Sequence, residues 1–275
     1  MLGKLLKYDL KSIFRYWWIA GISSLVLSFF GGGCITLLKS ERTLPDFIYG
    51  ITILALVLVI IGIAVFSILT MILILVRFYR NLFTDEGYLT FTLPVKRSEL
   101  LNSKLITSLI FMFSTVIICF IDIAIMLGIG FAEEIFTKEF FETVRDIVNH
   151  IIDAVGFYGI LYIIEIIALL VLSVLFSTLF IYICITFASI ITKKAKVITA
   201  IGIYYAANSI FSFGLQIFYL FGMQSLVKWF GVLPTDSLNL TVTLVLLGLI
   251  FFMAVICSML YALQYWMLDR KLNLN

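Results

Sequence analysis

Apolar stretches of eighteen residues or more recur along this chain, and no other feature limits its fold so tightly. At 1.5 Å of rise per residue, about 20 helical residues cross the ~30 Å hydrocarbon core of a bilayer. Six spans fit: Tyr16–Leu38, Phe47–Val76, Leu105–Phe131, Gly156–Ile191, Val197–Phe221 and Leu240–Leu268. The chain is 63% hydrophobic and 13% charged over 275 residues, whereas soluble domains run nearer 45–50% and about 25%. The expected fold is an all-α polytopic membrane protein: an N-terminal amphipathic helix and six transmembrane helices in a single transmembrane domain, 1–275. Several spans exceed the minimum, Gly156–Ile191 most of all, so some must tilt, kink or protrude.

The cations orient the spans. With the N-terminus inside, the inner segments carry fourteen Lys and Arg residues and the outer segments five, namely Lys39, Arg42, Lys138, Arg145 and Lys228. Every inner segment contributes to this excess, so the positive-inside rule puts both termini in the cytoplasm.

Residues 1–15 read as an amphipathic connecting helix. Leu2, Leu5, Leu6, Leu10, Ile13, Phe14 and Trp17 recur at helical steps, while Lys4, Lys7, Lys11, Ser12 and Arg15 fill the other face. Such a helix lies in the inner headgroup layer with its cations on anionic lipid; alternatively it is a polar lead-in to the first span. Outside, residues 132–155 mix six acids with apolar residues at helical spacing, an external amphipathic helix folded over the protein. Its His150 has no ligand-type neighbour. Residues 222–239, with Trp229, Phe230 and Pro234, read as an outer re-entrant or interfacial segment. Cys34, Cys119, Cys184 and Cys257 all lie in apolar stretches without paired or metal-ligand spacing, which predicts inert thiols. A lipoprotein leader ending at Cys34 is disfavoured, because Gly31 stands where a larger apolar residue is needed and further spans follow.

The chain carries no phosphate-loop motif, no H-E-x-x-H, and no set that its one histidine could complete as a Ser/His/acid triad. Asp85–Glu86 and Glu133–Glu134 are adjacent pairs, which splay about 100° apart on a helix. The composition points away from an enzyme, a resident metal or cofactor, and a nucleic-acid partner. Polar residues within the spans are more informative, since each is costly to place in lipid. Asp122 and Glu165 each lie nine residues inside the outer end of a span, about 13 Å deep. Tyr205, Asn208, Ser212 and Gln216 form a stripe on span five at steps of three and four. Two readings stand. These groups bond helix to helix, with Glu165 external if span four overshoots, or they line a substrate path.

One dense polar segment interrupts the apolar chain, "RFYRNLFTDEGYLTFTLPVKRSELLNSKL", from Arg77 to Leu105 on the inner side. It holds a turn at Gly87, a short apolar piece that Pro94 ends, and Ser98 as N-cap of the next helix. Phe83, Tyr88, Leu89, Phe91 and Leu93 stand among acids and bases. A partner protein's groove would accept that surface; a loop packed on its own N-terminal helix is the alternative.

Across residues 78–104 this segment resembles the cytoplasmic loop of bacterial ABC-2-type exporter permeases (type V exporter-like), whose motif approximates F-Y-x-x-L-x-x-x-E-G-Y-L-T-x-T-L-P-x-x-R-x-x-L-x-x-S-K. The resemblance implies two permease chains, homodimeric or related, working with two ABC ATPase subunits that bind ATP and Mg, in the bacterial cytoplasmic membrane. It implies that 77–104 is the coupling loop, with Phe83, Asp85, Glu86, Tyr88, Leu89, Leu93, Pro94 and Arg97 seated on the ATPase. The layout is similar to exporters of amphipathic peptides of the phenol-soluble modulin type. Beside this stand a secondary transporter using Asp122 and Glu165 as proton or ion sites and, third, a membrane enzyme.

Overall fold

The fold was examined in a computed structural model, which describes residues 2–40, 45–84, 87, 95–156, 158–192, 195–230 and 238–270. Among the described residues it is all-helical. The helices are α1 (Leu2–Lys39), α2 (Asp46–Phe83), α3 (Arg97–Gly130), α4 (Ala132–Ile135), α5 (Lys138–Val155), α6 (Tyr158–Ile191), α7 (Lys196–Phe230) and α8 (Leu238–Arg270). Six of them, α1, α2, α3, α6, α7 and α8, are long and apolar enough to cross a membrane. This is a multi-pass membrane protein.

The helices outrun the hydropathy at their polar ends. α2 continues through "RFYRNLF" to Phe83, and α7 runs on to Phe230, because the helical hydrogen-bond ladder does not stop where the hydrocarbon does. Residues 2–15, expected as a separate element, are the first turns of one 38-residue helix. Of the expected outer segment 222–239, residues 231–237 lie outside the described residues. α6 is a single helix of 34 residues, about 50 Å long at 1.5 Å per residue.

The chain divides into two compact units, the first Met1–Arg80 with Asn102–Ile151, the second Asn81–Leu101 with Ile152–Asn275. In the first, α1 turns inward a stripe in which small and polar residues follow Ile13 and Trp17: Asp9, Ile13, Trp17, Gly21, Ser24, Ser28, Gly31 and Gly32 are buried. Helices in lipid gain little from apolar burial against one another, so close backbone approach through small residues drives their packing. A Cβ added at Gly31 would stand 2.9 Å from Val59 Cγ1, and one at Gly32 would stand 2.6 Å from Ile129 Cβ. Only glycine permits α2 and α3 to come this close. Trp17 Nε1 donates to Thr115 Oγ1 at 2.9 Å, Thr115 Oγ1 lies 3.1 Å from Thr70 Oγ1, and the Trp17 ring packs edge-on to Phe111. At the far end Lys39 Nζ reaches Glu134 Oε1 at 2.5 Å.

In the second unit α6 packs against α7 and α8. Gln264 Nε2 donates to Thr186 Oγ1 at 2.8 Å, and Tyr162 Oη donates to the Asn239 carbonyl at 3.1 Å. α5 forms where the periodicity puts it, and its apolar residues Phe141, Ile147, Ile151 and Ile152 are exposed. An amphipathic helix beside a bilayer can satisfy its apolar side in the interface instead of on protein.

Candidate functional site

Three polar assemblies stand out. The first holds the flanks of the segment between α2 and α3. Asp85, Glu86, Tyr88, Leu89, Leu93 and Pro94 lie outside the described residues, whereas Phe83 and Arg97 are placed. Phe83 is 6% exposed, so this ring is buried in the chain where the sequence reading had it offered to a partner. Its carbonyl accepts from Lys196 Nζ at 3.3 Å, which ties the end of α2 to the start of α7. Arg97 donates through Nη1 to the Leu268 carbonyl and pairs with Asp269 Oδ1 at 3.3 Å, which ties the start of α3 to the end of α8. Ser98, expected as N-cap, is the second residue of α3 instead; the Lys96 carbonyl accepts the first helical bonds, from Glu99 and Leu100. Gly87 donates its N–H to the Thr84 carbonyl at 2.7 Å, and a Cβ there would meet the Leu82 carbonyl oxygen at 2.6 Å. Backbone cannot yield as a side-chain tip can, so this turn requires glycine.

The second assembly was missed by sequence reasoning. Asp9 on α1, 3% exposed, accepts from Lys104 Nζ at 2.5 Å and from Arg77 Nε at 3.2 Å, with Ser103 Oγ 3.4 Å from its other oxygen. Lys104 is 5% exposed. Two cations counted toward the inner surface are thus engaged in a buried cluster joining α1, α2 and α3. The available signal was that Asp9 is the one acid among the first forty residues, set four before Ile13 and eight before Trp17 on the buried stripe.

The third comprises the intramembrane polar groups. Asp122 on α3 is fully buried, and neither carboxyl oxygen accepts a hydrogen bond of good geometry. Its neighbours are the hydroxyls of Ser24 and Ser28. Each hydroxyl has one proton, and these two are aimed at carbonyls of α1, Ser24 at Gly21 and Ser28 at Leu25. Glu165 on α6 is also buried, with Oε2 unbonded. Asp122 belongs to the first unit and Glu165 to the second. The α7 stripe does not turn inward: Tyr205 is 66% exposed, Asn208 and Gln216 are exposed, and Ser212 is half-buried. Of the other residues singled out, His150 is exposed on α5 and all four cysteines are free, Cys184 and Cys257 buried. Among the described residues no three His, Cys, Asp or Glu side chains are grouped to hold a metal.

Fold and assemblies together define a helical, multi-pass membrane protein with buried, incompletely bonded carboxyls and one polar helix face left open. No protein-family model, curated protein or solved structure matches the chain.

Proposed function

We propose that the chain is the permease subunit of an ATP-driven exporter of the ABC-2 type, with ATP hydrolysis on a separate ATPase and the working unit containing two permease chains in a bacterial cytoplasmic membrane. The observation that carries this reading is the sequence of residues 78–104, which resembles the loop motif of that family. Its anchoring supports the role. A displacement of the loop reaches α7 through Phe83 and Lys196, and α8 through Arg97. The spans carry many aromatic and few polar groups, which favours an amphipathic cargo such as a peptide over a sugar, whose site would need many more hydrogen-bonding groups.

The test is ATP-dependent accumulation of a labelled amphipathic peptide in inside-out vesicles holding this chain and an ABC ATPase encoded beside it. Anchors in such grooves commonly contribute more than ~1 kcal/mol each. Tyr88→Ala, Leu89→Ala or Leu93→Ala should therefore uncouple hydrolysis from transport while leaving insertion intact. Wild-type coupling in all three variants would refute the loop's role.

A second reading, an ATP-independent secondary transporter, is favoured by one observation: Asp122 and Glu165 are buried carboxyls with unbonded oxygens. Each could hold a proton or small cation. Transport that survives ATP depletion but collapses with the proton gradient would select it.

A further inference from the structure

α5 keeps its apolar and polar residues apart. At about 100° per residue, Phe140, Phe141, Val144, Ile147, Val148 and Ile151 fall within an arc of about 120°, and each is 40–57% exposed. The opposite side carries Glu139, Glu142, Arg145, Asp146, Asn149 and Asp153. A contiguous apolar face of this kind marks an interaction surface, and the start of the helix shows what it meets. Lys39 ends α1; its Nζ pairs with Glu134 Oε1 at 2.5 Å and stands 4.3 Å from the Phe131 ring centroid. The two side chains are 35% and 64% exposed, so the pair belongs with headgroups or water rather than hydrocarbon. Exposed Tyr16 and Trp18 mark the opposite headgroup level on the same helix. From Trp18 to Lys39, α1 rises about 32 Å at 1.5 Å per residue, close to the ~30 Å of a hydrocarbon core. The Lys39–Glu134 pair therefore lies at a membrane surface. Thr137 Oγ1 donates to the Glu134 carbonyl at 2.7 Å and accepts from the Phe140 N–H at 3.3 Å, so α5 starts at that surface. Its far end turns at Gly156, in the left-handed region at a φ of 52°, and membrane-length α6 begins at Tyr158.

We infer that α5 lies in the headgroup layer at the Lys39 end of α1, with its apolar face inserted among the lipid chains. The occupant of that face is the bilayer itself. A helix joined within a few residues to membrane helices at both ends has the surface alongside it, and its apolar side can sink about 5–10 Å into that layer. The polar side decides which lipid is needed. Within α5, Lys138 and Arg145 stand against Glu139, Glu142, Asp146 and Asp153. Attraction to anionic headgroups therefore does not supply the attachment; apolar area does. That sets α5 apart from basic surface helices, which add electrostatic attraction through Lys and Arg. The inference is independent of both transport readings, since it needs only that α1 end at a membrane surface.

The experiment is spin-label resonance of the full-length chain, cleared of its four native cysteines and reconstituted in phosphatidylcholine vesicles, with one label on α5 at a time. Power saturation against oxygen and a water-soluble nickel chelate reads the depth of each label. Ile147→Cys and Ile151→Cys labels should meet oxygen in preference to nickel and report a depth of about 5–10 Å below the headgroups. Thr143→Cys and Asn149→Cys labels, on the polar side, should meet nickel freely. All four positions are exposed, so the fold should persist. Mixing phosphatidylglycerol into the vesicles should leave the depth unchanged or make it shallower. Val144→Asp/Val148→Asp should return the Ile151→Cys label to the nickel chelate. Nickel access on both sides of the wild-type helix would place α5 in water. Exclusion of both reagents from the apolar side would mean that protein covers it, either a second copy or another segment of this chain. Insertion only with phosphatidylglycerol present would mean that charge, not apolar area, holds the helix. Each of these three outcomes overturns the inference.

Discussion

Asp9 sets the energetics at the residue scale. It is one buried carboxylate between two cations, and α1, α2 and α3 of the first unit meet on it. A buried pair gains little over an apolar replacement, but removing one partner strands the other charge, at a cost of about 3–5 kcal/mol. Asp9→Asn should therefore lower the thermal midpoint in detergent sharply, as should Lys104→Met. The double variant should lose clearly less than the two losses added, because the Asp9–Lys104 pair is then removed together and only the partly exposed Arg77 loses its contact with Asp9; strict additivity would show that the cluster is not a unit. Asp122 predicts the opposite sign. An asparagine in its place would offer N–H donors to the Ser24 and Ser28 oxygens, whose protons are spent on α1 carbonyls. Each such bond contributes about 1 kcal/mol, so Asp122→Asn should match or exceed wild type in thermal stability. If transport falls in that same variant, the carboxyl has a role that stability does not explain. A destabilised Asp122→Asn would mean that the serine hydroxyls turn toward the carboxylate after all.

The element that best tests the packing is α1. Its glycines are not equivalent. At Gly32 a methyl group would collide with Ile129 and with the Met126 carbonyl, while at Gly33 nothing lies within 4 Å. Gly32→Ala should destabilise by about 1–3 kcal/mol through overpacking, whereas Gly33→Ala should be neutral or stabilise by up to about 1 kcal/mol through helix propensity. Thermal unfolding of the two variants side by side decides it, and equal effects would remove the close seam. The same helix shows what the sequence made legible. All six spans could be read from hydropathy, since apolar length is a property of the chain alone, and α5 from its periodicity. The buried stripe from Asp9 through Gly31 was present at steps of three and four, yet hydropathy overlooks it because its members other than Ile13 and Trp17 are small or polar. Asp9 needed a partner 95 residues away, and no local pattern announces such a pairing. Phe83 was read from its type as a presented aromatic; its burial follows from how α2 ends, which composition does not encode.

For the whole molecule the open question is what covers α7. Tyr205, Asn208 and Gln216 follow one stripe of a membrane-length helix and remain exposed in the single chain, along with Ile210 and Phe213. Amide side chains facing hydrocarbon would lack hydrogen-bond partners, a cost that membrane proteins avoid by turning such groups toward protein or water. α7 gives the adjoining face to α6, where Tyr204 packs against Phe180 and Phe211 against Phe176. The exposed stripe beside that contact offers a face to a second copy or to a wet path that two copies frame. Either arrangement brings the stripe of one chain near that of the other, so cysteine at Asn208 or Ser212, in a background lacking the four native cysteines, should yield an oxidised dimer in native membranes. Cysteine at Ile163 on α6, equally exposed but on an apolar face, should not. A short crosslinker should serve Asn208→Cys if the chains touch, and only a longer one if a path runs through the stripe. Failure at every reagent length, with the Ile163→Cys control also silent, would leave the α7 stripe facing lipid in a lone chain and would remove the two-chain assembly from the proposal.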